Sequence, residues 1–276
     1  MRPSYKGTFV YQKRGKKLSE DLLRELPQDK LAKLDTQNLR RTLINTIRSS
    51  NGKVLRNSQE LISFSCNDYL GLTHHPDVIK ASQEATYEHG AGSGGSRLVT
   101  GNNPLNTELE MLLAKIKGTE DAIVFGSGYL ANLGVIPALV GHKDLILIDE
   151  LSHACLFAGA MLSKAHIIHF NHSDISEVAK LMAKQRESFQ HCLVLTDGVF
   201  SMDGDLAPIS ALHELCTRHK AWLMTDDAHG LGVIENGRGS SVVDGCAIPV
   251  PLQVGTLSKA VGAYGGYLCS NKETIE

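Results

Sequence analysis

Apolar residues recur along this chain in two rhythms, and the change between them falls near residue 76. Before it, Leu22, Leu23, Leu26, Leu31, Leu34, Leu39, Leu43 and Ile47 return at spacings close to those of a helix face. That pattern predicts helical structure over 20–50, interrupted at Pro27. Lys53-Val54-Leu55 and Leu61-Ile62-Ser63-Phe64 then predict a small hairpin around Asn57-Ser58. Pro76 opens a helix reaching about His89, a glycine-rich loop covers Gly90 to Gly95, and a further helix covers 104–117.

Beyond this point short apolar runs alternate with longer periodic stretches. The runs predict strands at 121–125, 144–149, 166–170, 192–197, 222–227, 252–256 and 266–270. Helices are expected at Gly128–Leu139, His153–Ser163, Ile175–Arg186 and Ile209–His219. Strands alternating with helices imply an α/β fold with a mostly parallel, doubly wound sheet covered on both faces. The chain therefore divides into residues 1–75, holding a basic arm, helices and the hairpin, and 76–276, holding the α/β domain. Residues 271–276 have the pattern of the first turn of a helix rather than of a finished terminus.

Composition narrows the function classes. The 276 residues carry a net charge of -2 and are 42% hydrophobic, ordinary for a globular chain. This gives no electrostatic footing for nucleic acid or an anionic membrane. Apolar runs stay short of the roughly 18 residues that a membrane span needs. Six cysteines are scattered without a CxxC pair, which suits reduced thiols in the cytoplasm. Arg2, Lys6, Lys13, Arg14, Lys16 and Lys17 make the first 19 residues basic without an acid, and we expect a loose basic arm rather than a transit peptide.

Ligands of open α/β sheets bind at the carboxyl ends of the strands, so the residues just after each strand matter most. Gly126-Ser127-Gly128-Tyr129-Leu130-Ala131 leads from a strand into a helix and can present backbone N–H groups to a phosphate. The same GxGxxA spacing, with Asp149 ending the next strand, also fits a dinucleotide site. Ser152-His153-Ala154 offers either a ring-stacking histidine or plain capping by Ser152. Ser201 could give a hydroxyl to a ligand, and Asp226, closing a buried strand, needs a cationic partner. His166, His169 and His172 fall on both faces of a strand, so no metal site is expected there. Thr256-Leu257-Ser258-Lys259 puts a lysine directly after an apolar strand, in the poorly hydrated setting that an imine-forming amine requires. An amine, a buried aspartate and a phosphate cradle at one sheet edge are what pyridoxal phosphate chemistry uses; a nicotinamide enzyme would not need both Asp226 and Lys259.

Six motifs occur in order: Asn67-Asp68-Tyr69-Leu70-Gly71, Gly92-Ser93-Gly94-Gly95-Ser96-Arg97, Ser152-His153-Ala154, Gly198-Val199-Phe200-Ser201-Met202-Asp203-Gly204, Asp226-Asp227-Ala228-His229-Gly230 and Thr256-Leu257-Ser258-Lys259. Over roughly residues 30–270 the chain resembles the α-oxoamine synthases, fold-type I enzymes that use pyridoxal 5'-phosphate to condense an amino acid with an acyl thioester and release carbon dioxide. The resemblance implies the large domain of that fold, a mostly parallel seven-stranded sheet flanked by helices. The Gly94-Gly95-Ser96-Arg97-Leu98 wording is similar to the branch that joins L-alanine to a pimeloyl thioester on the way to biotin; the aminolevulinate and 2-amino-3-ketobutyrate types are the near alternatives, and a non-catalytic cofactor-binding remnant the more distant one.

The resemblance also assigns roles. It implies that Lys259 holds the cofactor imine and moves the Cα proton, and that Asp226 pairs with the pyridine nitrogen. His229 would bond the ring's phenolic oxygen, with Ser201 nearby, and His153 would stack on the ring and touch substrate. Gly128, Tyr129 and Thr256 would hold the phosphate, and Arg40 the acyl substrate, with Arg41 or Arg48 as substitutes. A cytoplasmic homodimer is expected, with no nucleic acid and no membrane. The family pattern continues past Glu276 into a small C-terminal domain that supplies a carboxylate-binding arginine and a phosphate-side threonine, so both are expected to be absent here.

Overall fold

A computed structural model describes residues 15–49 and 52–276. The basic arm lies outside the described residues as far as residue 14. The chain forms two compact units, one running to Ile47 and taking in Leu55–Glu60, the other comprising Arg48–Val54 and Leu61–Glu276.

The first unit is led by α1 (Gly15–Thr36), which runs through Pro27 instead of breaking there. The helix predicted over 20–50 therefore has different limits. It stops because Asn38 turns left-handed (φ 54°) and Leu39 N–H reaches back to the Leu34 carbonyl at 2.8 Å, an ending that asparagine tolerates without glycine. After an irregular stretch, Thr46–Arg48 forms β1, where threonine and isoleucine favour extended backbone. β2 (Lys53–Arg56) and β3 (Gln59–Ile62) form the expected hairpin. Its two turn residues, Asn57 and Ser58, both have positive φ (50° and 61°), as a two-residue hairpin turn requires.

In the second unit, α2 (Pro76–His89) and α3 (Pro104–Lys117) precede the sheet, each with proline in its first turn. The strands are β4 (Asp121–Phe125), β5 (Leu145–Asp149), β6 (His166–Phe170), β7 (Cys192–Asp197), β8 (Trp222–Asp226), β11 (Leu252–Thr256) and β12 (Gly266–Ser270), with a minor pair β9 (Val242–Val243) and β10 (Cys246–Ala247). The helices between them are α4 (Gly128–Leu139), α5 (Ala154–Ser163), α6 (Ile175–Gln185) and α7 (Ile209–Arg218), and α8 (Lys272–Ile275) follows. The seven-stranded sheet has the order β4-β12-β11-β8-β7-β5-β6. β12 runs against both neighbours, and the pairs from β11 to β6 are parallel.

Alternation along the central strands feeds two separate cores. Leu145 and Leu147 face one side with Val178, Met182, Leu212 and Leu215 from α6 and α7. Ile146 and Ile148 face the other side with Ala131, Ile136, Leu156 and Ala160 from α4 and α5. Both faces are dry, which is why β5 reads as a continuous apolar run. This burial fixes the strand register and leaves the residues at the strand carboxyl ends as the polar rim of the sheet.

Candidate active site

The carboxyl ends of β7, β8 and β11 and the N-termini of α4 and α5 enclose a cavity of about 220 Å³. Gly128, Tyr129, His153, Asp226, His229, Thr256 and Lys259 line it, so seven residues picked out in the sequence converge on one place. Ser201 is exposed in the turn after Phe200 and is not among the lining residues. Arg40 belongs to the N-terminal unit, where its guanidinium meets Asp35 at 2.8 Å.

At one end the chain enters α4 through Ser127, whose hydroxyl caps Leu130 N–H at 3.1 Å. Gly128 sits against β11: a Cβ there would lie 3.1 Å from Thr256 Cβ and 3.2 Å from the Gly255 carbonyl. The glycine lets bare backbone meet the strand end. Thr256 Oγ1 donates to the Gly265 carbonyl at 2.8 Å and lies 2.9 Å from Ser258 Oγ. Hydroxyls beside a helix N-terminus suit an anionic group.

Asp226 closes β8 and is 5% exposed. Its donors are neutral: Asn132 Nδ2 at 2.7 Å, Ala228 N–H at 3.0 Å and the Cys155 thiol at 3.7 Å. Asp227 has a different task. It is fully buried, pairs with Lys117 at 2.6 Å and accepts Ser240 N–H, so it ties α3 to the loop after β8. His153 is the N-cap of α5, Nδ1 accepting Cys155 N–H at 3.3 Å, where capping by Ser152 had been the plainer expectation.

Lys259 Nζ lies 2.6 Å from His229 Nε2, and His229 Nδ1 lies 2.6 Å from the Tyr69 hydroxyl. Burial pulls the Lys259 ammonium below its ordinary range, while Asp226, Asp197 and Cys155 pull it back up. Burial, then Lys259 and His153, depress His229 to about 4. His229 is therefore a neutral imidazole at physiological pH. Burial first, and then Asp226, pushes Asp197 up to about 8.

Asp197, Asn132, Cys155, Tyr69 and Ser258 were not given roles from sequence. Asn132 carried a usable signal: it lies one turn after Gly128 as a buried polar side chain in an otherwise apolar helix. Asp149, a candidate ribose ligand, is instead buried and accepts His172 Nδ1 at 3.0 Å and Ser173 N–H at 2.8 Å. His166 stacks on Phe189 and His169 packs on Phe157, so the three histidines point to separate partners. Among the described residues no group of three or more His, Cys, Asp or Glu is arranged to hold a metal, and no helix is long and apolar enough to cross a membrane.

Known proteins resemble this chain. The family model for aminotransferase class I and II matches residues 59–276. The chain is 58% identical over 247 residues to the 8-amino-7-oxononanoate synthase of Beijerinckia indica, covering 90% of this chain and 64% of the relative. It is 61% identical over 223 residues to that of Methylocella silvestris, covering 81% and 63%. A serine palmitoyltransferase from S. paucimobilis, solved with a bound PLP–myriocin aldimine, superposes with a TM-score of 0.82 at 31% identity, covering 92% of this chain and 65% of that one. The chain thus spans less than two thirds of the length of these relatives. With the family model matching the whole sheet and the cavity at its edge, the chain belongs to the aminotransferase class I and II family, on its α-oxoamine synthase branch.

Proposed function

We propose that this chain carries the pyridoxal 5'-phosphate site of an enzyme that condenses L-alanine with a pimeloyl thioester, of coenzyme A or a carrier protein, releasing carbon dioxide and forming 8-amino-7-oxononanoate. The observation that carries the reading is Lys259 Nζ held 2.6 Å from a neutral histidine in the cavity it shares with Asp226 and the α4 N-terminus.

The residues fit the cofactor. Gly128 has no room for a side chain against Thr256, so a phosphate would meet backbone N–H groups of α4 and the hydroxyls of Thr256 and Ser258. Asp226, buried among neutral donors, suits a protonated ring nitrogen. Pyridoxal phosphate, when bound, supplies an aldehyde that condenses with amines and a ring that takes up the electron pair left when a bond at Cα breaks.

The chain's own groups do the rest. Lys259, whose ammonium burial disfavours, is the nucleophilic amine and then the base that takes and returns the Cα proton of alanine. Asp226 would keep the ring nitrogen protonated. His153, fixed as a helix cap and lining the cavity, would stack on the cofactor ring. His229 would bond the ring's phenolic oxygen, with Ser201 near it, and Arg40 would meet the acyl substrate; these three roles rest on the resemblance alone.

We also infer a cytoplasmic homodimer. Six free cysteines, four of them buried, suit a reducing compartment. A different amino acid, serine, is the second reading, since the serine palmitoyltransferase fold superposes so well; the far higher identity to the 8-amino-7-oxononanoate synthases favours alanine. Borohydride reduction of the chain with pyridoxal phosphate, followed by peptide mapping, should label Lys259, and a label elsewhere overturns the cofactor assignment. Thiol release from pimeloyl-CoA is expected with L-alanine; release with serine or glycine alone overturns the substrate assignment.

A further inference from the structure

His229 lies between two groups that can each give or take a hydrogen bond. Its Nδ1 is 2.6 Å from the Tyr69 hydroxyl, and its Nε2 is 2.6 Å from Lys259 Nζ. A neutral imidazole has one N–H, so the proton order along this chain of atoms runs in one of two directions. In the first, the phenol donates to Nδ1 and Nε2–H donates to the lone pair of an uncharged Lys259. In the second, a Lys259 ammonium donates to Nε2, Nδ1–H donates to the phenol oxygen, and the phenol turns to Asn67 Oδ1 at 3.3 Å.

Two observations favour the first direction. The phenol has a much shorter acceptor in His229 than in Asn67, and the second direction takes that acceptor away. Burial also raises Tyr69, so the hydroxyl keeps its proton and has it to donate.

We propose that Tyr69 is a positioning residue: its hydroxyl donates to His229 Nδ1, fixes the Nε2–H tautomer, and thereby makes His229 a donor that holds Lys259 as a free amine. The inference rests on the reading of Lys259 as the reacting amine. It gives the site a means of opposing Asp226 at the end of β8, and Asp197 of β7 once it ionises near 8, both of which favour the ammonium; the Cys155 thiol of α5, pushed up to about 12 by burial, is uncharged at neutral pH. Burial and His153 keep His229 neutral. The same Nε2–H would later face whatever oxygen approaches the amine.

Nitrogen-15 NMR of ring-labelled histidines in the cofactor-free chain tests this directly, with the His229 signals assigned by their loss in His229→Gln. The unsubstituted chain should show the Nε2–H tautomer, and Tyr69→Phe should move His229 toward Nδ1–H. In parallel, capture of pyridoxal phosphate on Lys259, fixed by borohydride at a series of pH values, should shift its midpoint upward in Tyr69→Phe. Capture at neutral pH should fall by about five- to tenfold, the worth of one hydrogen bond. An Nδ1–H tautomer in the unsubstituted chain overturns the proposal even if the variant does not fold, and so does a Tyr69→Phe chain with an unchanged tautomer and capture profile. If Lys259 is never labelled in the unsubstituted chain, the proposed function fails, while the tautomer still decides the role of Tyr69.

Discussion

Lys117 and the half-buried Lys259 serve opposite ends. Lys117 neutralises Asp227 in a pair whose side chains are wholly excluded from solvent, whereas Lys259 is placed where burial works against its charge. Removing the first should damage the fold. Lys117→Met strands a buried carboxylate, and urea denaturation should report a loss of about 3–5 kcal/mol, much of it recovered in Lys117→Met with Asp227→Asn. Asp197 gives a pH signature. Its carboxyl titrates near 8 in the folded chain against 3.8 when free, so between those values the folded state keeps a proton that the unfolded state has lost. Stability from this group therefore falls as pH rises, by at most about 1.4 kcal/mol per pH unit. His229, lowered from 6.5 to about 4, acts in the opposite sense below pH 6.5. Between 6.5 and 8 His229 adds no slope, but the stability from His172, lowered by burial and raised further by its bonds to Asp149 and Asp205, declines alongside that from Asp197, so the substitution is needed to separate the two. Denaturation midpoints should decline there in the unsubstituted chain and stay flatter in Asp197→Asn.

At the scale of elements, the chemistry sits on strand ends and helix starts because the sheet interior is apolar on both faces. α4 shows how tightly that junction is built. A methyl at Gly128 would press on Thr256 and the Gly255 carbonyl, forcing β11 and α4 apart by a few tenths of an ångström. Gly128→Ala should weaken pyridoxal phosphate binding by about tenfold, or 1.4 kcal/mol, in an equilibrium titration, with little change in the far-ultraviolet dichroism. The helix-strand rhythm of the second unit was legible because each strand run and each helix face has its own period. Residues 37–48 were not. Leu39, Leu43 and Ile47 continue a helical spacing past Thr36, yet Asn38 in the left-handed region ends the helix, and the spacing carries no trace of that turn.

At the scale of the whole chain, several large apolar side chains stand in solvent within the second unit. Leu98 is fully exposed and Val99 nearly so, both in the loop after the glycine-rich stretch. Leaving a leucine uncovered forgoes roughly 1.5–3 kcal/mol. A second copy that covers this loop is the occupant the proposed homodimer supplies. Leu98→Arg should therefore shift the mass measured by light scattering toward the monomer at micromolar concentration, and an unchanged mass would place the dimer contact elsewhere. Tyr267 and Cys269 on β12, by contrast, are wholly buried, so the antiparallel strand is a core element and not an edge.

Composition, periodicity and motif order settled the α/β class, the strand positions and the lysine, aspartate and glycines at strand ends, because those depend on local spacing and on which residue types a dry sheet admits. They could not settle which groups touch. Asp226 and Asp227 are adjacent in sequence with the same chemistry, and only the fold sends one to the cavity and the other to Lys117, 110 residues away. Tyr69 reaches His229 across 160 residues, and no local pattern encodes such a contact. Proton order in the site depends on burial and on distances between remote segments, and both come into being only when the sheet closes.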